Sequence, residues 1–307
     1  MEPDDLRDVA AGVLTPFDAD DTDEILYDEL AADAEWLYEG GIRLFLACAN
    51  ISEYHSLTHT ERIETARTVV EAVPGDATVL AGAGGSTKTA IELVRAHEEN
   101  GADGIMVMPP DHTFKHEAGV ATYYDRIADA VDVPIVPYLR GFDVTVGLVE
   151  SIVSHPNVVG VKWAIPDIEL FSTVVSAIDT DAVWVCGMAE PPAPAYYLEG
   201  ADGFSAGVTN FEPLLGRAIF DALEAGEWGR ARRLRDLAQP FMDLRAERGA
   251  DNIYPGANSV PAVKAGLEEA GRYGGPVREP LVELTDGDRE RASALYAELQ
   301  DELDRLL

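Results

Sequence analysis

Residues 157–167 read Asn-Val-Val-Gly-Val-Lys-Trp-Ala-Ile-Pro-Asp, a short apolar run that carries one lysine, Lys162, near its far end. Prolines 156 and 166 bound the run, and continuous apolar runs of this length are typical of strands that a parallel sheet buries on both faces. Burial lowers the pKa of an ammonium group, and the neutral amine is a nucleophile. The run therefore predicts either a Schiff-base lysine or a lysine that ends its strand and reaches water.

Similar apolar runs recur along the chain with helical segments between them. The predicted strands are residues 11–15, 42–48, 78–82, 104–108, 134–138, 158–163, 182–187 and 203–207. The segments between them have helical periodicity and caps, as in residues 86–100, which Gly101 closes. Strict alternation of this kind predicts an α/β fold, a (β/α)8 TIM barrel, and no glycine-rich dinucleotide fingerprint follows the first strand.

The part of the chain after residue 207 has a helical pattern only. Amphipathic segments cover residues 212–225, 228–248, 259–270 and 286–306. We therefore expect a barrel over residues 1–211 that carries the active site, and a C-terminal helical extension over residues 212–307 that packs on it.

The composition excludes several classes of partner. The chain of 307 residues has 56 Asp and Glu against 23 Lys and Arg, a formal net charge of -33, so its surface repels nucleic acid and anionic membranes. The acidic balance resembles that of proteins from salt-loving organisms. The start is unlike a signal peptide, and no apolar run has the length of a membrane span. Cys48 and Cys186 lie in apolar segments, which favours reduced thiols. A cytoplasmic protein is expected.

Chemically suggestive side chains follow four of the predicted strands: residues 50–53, residues 138–140, Lys162 and Ser205. In a barrel of this kind, the working residues lie at the carboxyl ends of the strands. Tyr138 and Lys162 end adjacent strands, and a phenol beside an amine can shuttle protons while a carbinolamine forms and breaks. The alternative for Tyr138 is a ring that closes the barrel mouth.

Motifs along nearly the whole chain make it resemble the dihydrodipicolinate synthase and N-acetylneuraminate lyase family of pyruvate-dependent class I aldolases. The residues that carry the resemblance are 12–17 (Gly-Val-Leu-Thr-Pro-Phe), 52–53, 56–57, 61–62, 134–138 (Pro-Ile-Val-Pro-Tyr), 160–162 (Gly-Val-Lys), Gly187, 203–205 (Gly-Phe-Ser), Asn210, Pro213 and 263–265 (Val-Lys-Ala).

The resemblance implies a role for each matching position. Lys162 forms the imine with a 2-keto acid, and Tyr138 moves protons at the reacting oxygen. The loop at Asn50, Ile51 and Ser52 holds the keto-acid carboxylate, partly through backbone N–H groups. Arg140, Gly187 and Ser205 complete the predicted substrate site. The resemblance implies a homotetramer, and we expect no cofactor and no metal, because the imine itself supplies the electron sink.

Three departures from the family pattern change the expected site. Ile51 stands where the family loop carries a hydroxyl, so Asn50, Ser52 or, as a weaker candidate, Thr15 replaces it. Residues 109–112 read Pro-Pro-Asp-His, without the tyrosine that a neighbouring subunit contributes in the family. The segment after Tyr138 lacks the Asn-x-Pro-x-Arg-Thr pattern of the lysine-pathway enzyme, and its arginine is at position 140.

Two other patterns admit competing interpretations. His55 and His59 are four residues apart, as are His112 and His116, and such pairs on a helix can bind the metal of a class II aldolase. Residues 82–88 (Gly-Ala-Gly-Gly-Ser-Thr-Lys) resemble a phosphate loop without its full spacing, and a strand-to-helix turn is the alternative. Arg140 is either a member of a surface ion pair or a clamp for the distal half of the substrate.

The leading hypothesis is a Schiff-base lyase or aldolase that cleaves or condenses a 2-keto-3-deoxy sugar acid, with pyruvate as the imine-forming half. Three alternatives remain: dihydrodipicolinate synthase of lysine biosynthesis, a dehydratase of the same sugar acids, and a catalytically silent barrel. Because a displaced guanidinium cannot reproduce a bidentate contact, the segment after Tyr138 argues against the synthase.

Overall fold

A computed structural model describes residues 1–306 of the chain. Its eight strands are β1 (Val9–Gly12), β2 (Leu44–Ala47), β3 (Thr78–Ala83), β4 (Gly104–Val107), β5 (Ile135–Leu139), β6 (Gly160–Trp163), β7 (Val183–Cys186) and β8 (Gly203–Ser205). They are parallel, pair in sequence order and close into a barrel when β8 pairs with β1. The predicted (β/α)8 barrel is confirmed.

Eleven helices are described in residues 1–306: α1 (Tyr27–Glu39), α2 (His59–Ala72), α3 (Thr87–Glu99), α4 (Glu117–Ala128), α5 (Val146–Val153), α6 (Ile168–Ala177), α7 (Ala193–Leu198), α8 (Pro213–Glu224), α9 (Trp228–Ala246), α10 (Ser259–Glu269) and α11 (Asp286–Leu306). Side-chain caps start several of them. Thr58 and Glu61, for example, form a capping box at α2. None of these helices is both long and apolar enough to cross a membrane.

The first strand lies earlier than predicted. Residues 11–15 were expected, whereas β1 is Val9–Gly12, because the apolar run has no period and the pairing of Ala10 with Leu44 and with Ser205 sets the register. Residues 13–15 therefore leave the sheet and enter the loops at the mouth of the barrel.

Helix α8 belongs to the barrel rather than to the extension. It follows β8 and starts against the end of α1, where a side chain at Gly40 would collide with Pro213. Arg217 of α8 also donates to Asp8, just before β1, at 2.5 Å. The expected boundary between residues 211 and 212 assigns α8 to the extension, because the amphipathic pattern of residues 212–225 does not show on which body the helix packs. The extension consists of α9, α10 and α11, and Leu307, its predicted last residue, lies outside the described residues.

The barrel interior is apolar at its base and polar at its top. Its base is filled by Leu6, from the 3-10 turn before β1, and by side chains from six strands: Ala10, Leu44, Leu80, Met106, Val136 and Val183. Lys162 stands above this layer, near the carboxyl end of β6. The fold thus presents one amine at the top of a closed hydrophobic core.

Candidate active site

A cavity of about 800 Å³ opens at the carboxyl ends of the strands. Barrel residues form one side of it, among them Asn50, Tyr138, Lys162 and Ser205. The other side comes from α9, α10 and the segment before α11, through Met242, Arg245, Ser259, Val260, Pro280 and Leu281. The active site was expected within residues 1–211, and the extension supplies part of the wall of this cavity.

Lys162 and Tyr138 lie side by side on the paired strands β6 and β5. Their Cα positions are direct partners in the parallel register, and the Lys162 Nζ lies 4.4 Å from the centre of the Tyr138 ring. Its one hydrogen-bond acceptor in residues 1–306 is the Met106 Sδ at 3.7 Å, a weak acceptor. Burial lowers the pKa of Lys162 below 10.5, an effect that Tyr138 opposes. The amine is thus disposed towards its neutral, nucleophilic form.

The Tyr138 hydroxyl receives two hydrogen bonds at the cavity wall. Arg140 Nη1 donates to it at 3.1 Å and Asn50 Nδ2 at 3.5 Å. Burial alone would raise the pKa of Tyr138, but the charges of Lys162 and Arg140, together with these hydrogen bonds, bring it below 10.0. A phenol with these neighbours can give up and regain its proton more readily than an isolated one.

The loop after β2 lines the cavity and has two backbone donors without an acceptor among the described residues. Cys48 and Glu53 flank it in the left-handed region, with φ of 57° and 56°. The N–H groups of residues 52, 53 and 54 donate to carbonyls within the loop, whereas those of Asn50 and Ile51 have no acceptor in residues 1–306. Successive free N–H groups in such a turn form an anion-binding nest.

Some side chains of this loop line the cavity, and others hold the loop in place. Asn50 reaches the cavity, and its buried Oδ1 has no partner among the described residues. Ile51 lines the cavity and packs on Gly12, where a Cβ would collide with it. Ser52 instead points away, because its hydroxyl donates to the Val13 carbonyl and accepts from the Ala49 N–H at 3.1 Å. The prediction that Ser52 contacts substrate is wrong for its side chain.

Thr15, the weaker replacement for the lost hydroxyl, is also structural. It is fully buried, and its Oγ1 donates to the Ser52 carbonyl at 2.7 Å. Both hydroxyls therefore hold the loop after β2 in place. Asn50, Ser52 and Thr15 are the candidates to replace the hydroxyl that the family loop carries at position 51. Of these three, only Asn50 places a polar side-chain group at the cavity.

Gly187 and Ser205, two of the predicted substrate-binding residues, line the cavity together with Lys162. A Cβ at Gly187 would lie 2.9 Å from the Trp163 carbonyl oxygen and 3.1 Å from the Lys162 Cγ. Both distances are too short for an ordinary contact. Glycine at this position therefore leaves room for the stem of Lys162, while the buried Ser205 supplies a hydroxyl at the end of β8.

A buried ion pair that the sequence did not reveal anchors the loop after β2 to the extension. The Lys264 Nζ of α10 lies 2.9 Å from the Glu53 Oε1, and the two side chains are 2% and 0% exposed. The Arg278 N–H donates to the other Glu53 oxygen at 3.0 Å. The motif containing Lys264 supported the family resemblance, but its partner is more than two hundred residues away in sequence.

The histidine pairs do not form the helical arrangement that a metal site would need. His55 lies in a 3-10 turn and His59 begins α2, with the Thr58 cap between them. His112 bonds to Phe114 within a loop, and His116 caps α4 by accepting from the Ala118 N–H at 3.2 Å. In residues 1–306 no group of three or more metal-ligating side chains comes together. Residues 82–88 form the turn from β3 to α3, which Ser86 caps.

Comparison with known proteins agrees with this geometry. The model of the dihydrodipicolinate synthetase family matches residues 5–299. A protein from Acidovorax ebreus described as a probable 5-dehydro-4-deoxyglucarate dehydratase is 30% identical, covering 98% of this chain and 99% of its own length.

Solved structures are equally similar over the whole chain. The dihydrodipicolinate synthase structure from Oceanobacillus iheyensis matches with a TM-score of 0.90 and 31% identity, over 99% of this chain and 98% of that one. The sialic acid aldolase of Ruminococcus gnavus matches with a TM-score of 0.89 over 99% of this chain and 100% of that one. At 22% identity, that likeness concerns the fold alone.

Proposed function

The chain belongs to the dihydrodipicolinate synthetase family, and from that premise we propose that it is a Schiff-base dehydratase of a 2-keto-3-deoxy sugar diacid. The observation that carries the proposal is the pairing of Lys162, a buried amine with a lowered pKa, with Tyr138 beside it on the adjacent strand. The family resemblance predicted from the sequence motifs is confirmed. The relatives' description as 5-dehydro-4-deoxyglucarate dehydratases supports the choice of substrate.

The first step is imine formation. The neutral Lys162 amine attacks the ketone carbon, and the resulting carbinolamine loses its oxygen as water when Tyr138 returns a proton to it. The free N–H groups of Asn50 and Ile51 bind the adjacent carboxylate. Asn50 and Arg140 hold the Tyr138 hydroxyl in place for this transfer.

The imine then acts as an electron sink. It acidifies the neighbouring methylene, which loses a proton to give an enamine. The enamine expels the hydroxyl from the next carbon, and that group leaves with a proton as water. Hydrolysis of the new imine releases the product and restores the Lys162 amine. Aldol cleavage would use the same imine but would break a carbon–carbon bond and release pyruvate.

The proposal is tested by incubating the protein with 5-dehydro-4-deoxyglucarate and following the products by mass spectrometry. We expect a product lighter than the substrate by at least one water, without release of pyruvate. Pyruvate as the main product would instead identify an aldolase. No turnover of this substrate or of other 2-keto-3-deoxy sugar acids would contradict the proposal.

A second candidate is dihydrodipicolinate synthase, the description of the similar structure from Oceanobacillus iheyensis. Against it stands Arg140, whose Nη1 contacts the Tyr138 hydroxyl two residues away. An arginine in that position is not available as the clamp that follows the tyrosine in the lysine-pathway pattern. Condensation of pyruvate with aspartate semialdehyde at a rate exceeding dehydration would favour the synthase.

We also propose a cytoplasmic homotetramer. The family resemblance supports the tetramer, and Phe114, an aromatic side chain that is 81% exposed, is the kind of group that association buries. The two free, buried thiols of Cys48 and Cys186 support a reducing compartment. Light scattering coupled to size exclusion should give a mass of four chains, and a monomer would contradict this part of the proposal.

A further inference from the structure

Arg245 is a buried arginine at the wall of the cavity that sequence reasoning did not single out. It lies near the end of α9, is 9% exposed and lines the cavity. Its Nε and Nη2 donate to the Ser259 backbone oxygen at 3.2 Å and to the Ser259 hydroxyl at 3.1 Å. The partner of its Nη1 is the Met242 thioether at 3.1 Å. A guanidinium has five N–H donors, so further donors remain for a ligand.

No carboxylate in the described part of the chain forms an ion pair with Arg245, although Glu190 is close. The Glu190 Oε1 accepts from the N–H groups of Gly207 and Thr209, both at 2.9 Å, and from the Thr209 hydroxyl at 2.8 Å. Gly207 lies between the two charges: a Cβ there would collide with the Arg245 Nη1 and lie 2.7 Å from the Glu190 Oε2. Glu190 thus partly balances the arginine without occupying it.

A buried guanidinium without a paired carboxylate lowers the stability of the fold, so we ask which function would retain Arg245. Removing a guanidinium from water without a paired carboxylate is unfavourable by several kcal/mol on general grounds. Arg140 adds a second positive charge near it. The cavity wall therefore carries two guanidinium groups in a protein whose net charge is -33. Such a concentration of positive charge attracts a dianion.

We propose that Arg245 binds the second carboxylate of a dicarboxylic 2-keto acid, the carboxylate remote from the ketone. The assignment rests on the proposed function, in which the first carboxylate lies at the N–H groups of Asn50 and Ile51. Arg245 then selects diacids over monoacids, and α9 of the extension, rather than the barrel, sets the substrate class. A monoacid would leave the buried guanidinium without its counter-charge.

The test compares two probes that differ only in the remote carboxylate, 2-oxoadipate and 2-oxohexanoate. Isothermal titration calorimetry should show wild type binding the diacid at least about 100-fold more tightly, as expected for a buried charge-assisted pair. Arg245→Gln should reduce this preference to within about threefold. The matched control is Arg232→Gln, an exposed arginine on the same helix, which should leave the preference unchanged.

A second variant and a separate assay keep the outcomes distinct. Arg245→Lys keeps the positive charge but not the planar, bidentate guanidinium, so its preference for the diacid should fall by about tenfold. If Arg245→Gln does not fold, this variant tests whether Arg245 reads the remote carboxylate. Trapping of pyruvate by borohydride reports on the imine and should be unaffected in every Arg245 variant. Failure of trapping in wild type would overturn the proposed function, while the calorimetric preference still tests Arg245.

Two results would overturn the assignment. One is a wild type that binds the two acids equally. The other is a folded Arg245→Gln or Arg245→Lys variant that keeps the full preference for the diacid. A folded Arg245→Gln that binds both acids weakly by the same factor would also count against it, since the arginine would then support the cavity without reading the carboxylate.

Discussion

Two lysines are buried in this protein, and they have opposite surroundings. Lys162 is 7% exposed and Lys264 is 2% exposed, and burial lowers the pKa of both. Each ammonium position also lies over an aromatic ring, 4.4 Å from Tyr138 and 4.5 Å from Phe17. Lys264, however, has Glu53 at 2.9 Å and the Thr15 carbonyl at 2.9 Å. Among residues 1–306, the only hydrogen-bond partner of Lys162 is a thioether.

The difference shows that burial alone does not make a lysine a nucleophile. A carboxylate and carbonyl oxygens stabilise the charged form of Lys264 and hold it in place, so its amine ties α10 to the loop after β2. Lys162 has no such partner in residues 1–306 and opens on the cavity. Its amine can be neutral and can reach a carbonyl. The same residue type therefore serves as an anchor in one place and as the proposed catalytic group in the other.

Replacing each lysine by methionine should separate the two roles most clearly. Lys162→Met should lower the dehydration rate by a factor on the order of 10⁴ or more, because the imine cannot form. Its melting temperature should stay the same or rise, since methionine fits an apolar site without the cost of burying an amine. Activity within tenfold of wild type would contradict the assignment.

Lys264→Met should act on stability first. It leaves the Glu53 charge buried without its partner, at a cost of about 3–5 kcal/mol in the free energy of unfolding. Urea denaturation measures this loss, and the exposed Lys88 offers a matched control, Lys88→Met, with no expected change. Adding Glu53→Gln to Lys264→Met should recover part of the stability. A Lys264→Met protein as stable as wild type would mean that the pair contributes nothing.

Tyr138→Phe should have an effect between those of the two lysine variants. Removal of the hydroxyl takes away the proton shuttle, which typically contributes about 10²–10⁴-fold to rate. The imine should still form with pyruvate, only more slowly, because the amine remains. Rapid-quench measurement of trapping and of turnover should show both steps slowed while the fold is kept. Unchanged turnover would support the alternative in which Tyr138 only closes the barrel mouth.

The pH dependence of imine trapping should report on Lys162. Because the pKa of Lys162 is lowered below 10.5, trapping at saturating pyruvate should rise with pH and level off below 10.5. Between the lowered pKa of Lys162 in the folded protein and 10.5, the unfolded chain binds more protons than the folded one. The free energy of unfolding of wild type should therefore rise with pH across this range. Lys162→Met should lose the part of this gain that comes from Lys162 and keep the part that comes from Lys264, whose pKa burial also lowers. A pH profile of trapping whose midpoint lies at 10.5 or above would contradict the lowered pKa of Lys162.

Salt should have the smallest effect on the difference in stability between wild type and the lysine variants. A net charge of -33 on the surface causes self-repulsion that screening relieves. The melting temperature should therefore rise by several degrees or more between low and molar salt. The difference between wild type and Lys264→Met should hardly change, because buried pairs are screened much less than exposed ones. A flat profile would mean that the acidic groups are locally compensated.

The parts predicted from sequence are those that local pattern determines. Buried parallel strands form continuous apolar runs, so the barrel and the neighbouring positions of Tyr138 and Lys162 followed from the order of the runs. The first strand was misplaced because such a run carries no period from which to read the register. Ser52 was misassigned because its hydroxyl direction depends on Val13 and Ala49, which no motif records.

The parts that sequence could not supply depend on contacts between distant segments. Glu53 and Lys264 are brought together only by the packing of α10 on the barrel. Arg245 had one signal that was available: it follows Ala238 and Phe241 on the buried stripe of α9. An arginine on the apolar face of an amphipathic helix is uncommon unless something pairs with it.

The most direct test of the contrast between the two lysines is reduction with borohydride in the presence of pyruvate, followed by peptide mapping. We predict one reduced pyruvyl group per chain, on Lys162, with none on Lys264 and none on the Lys162→Met protein. Labelling of Lys264, or labelling of the Lys162→Met protein to the wild-type extent, would contradict the account.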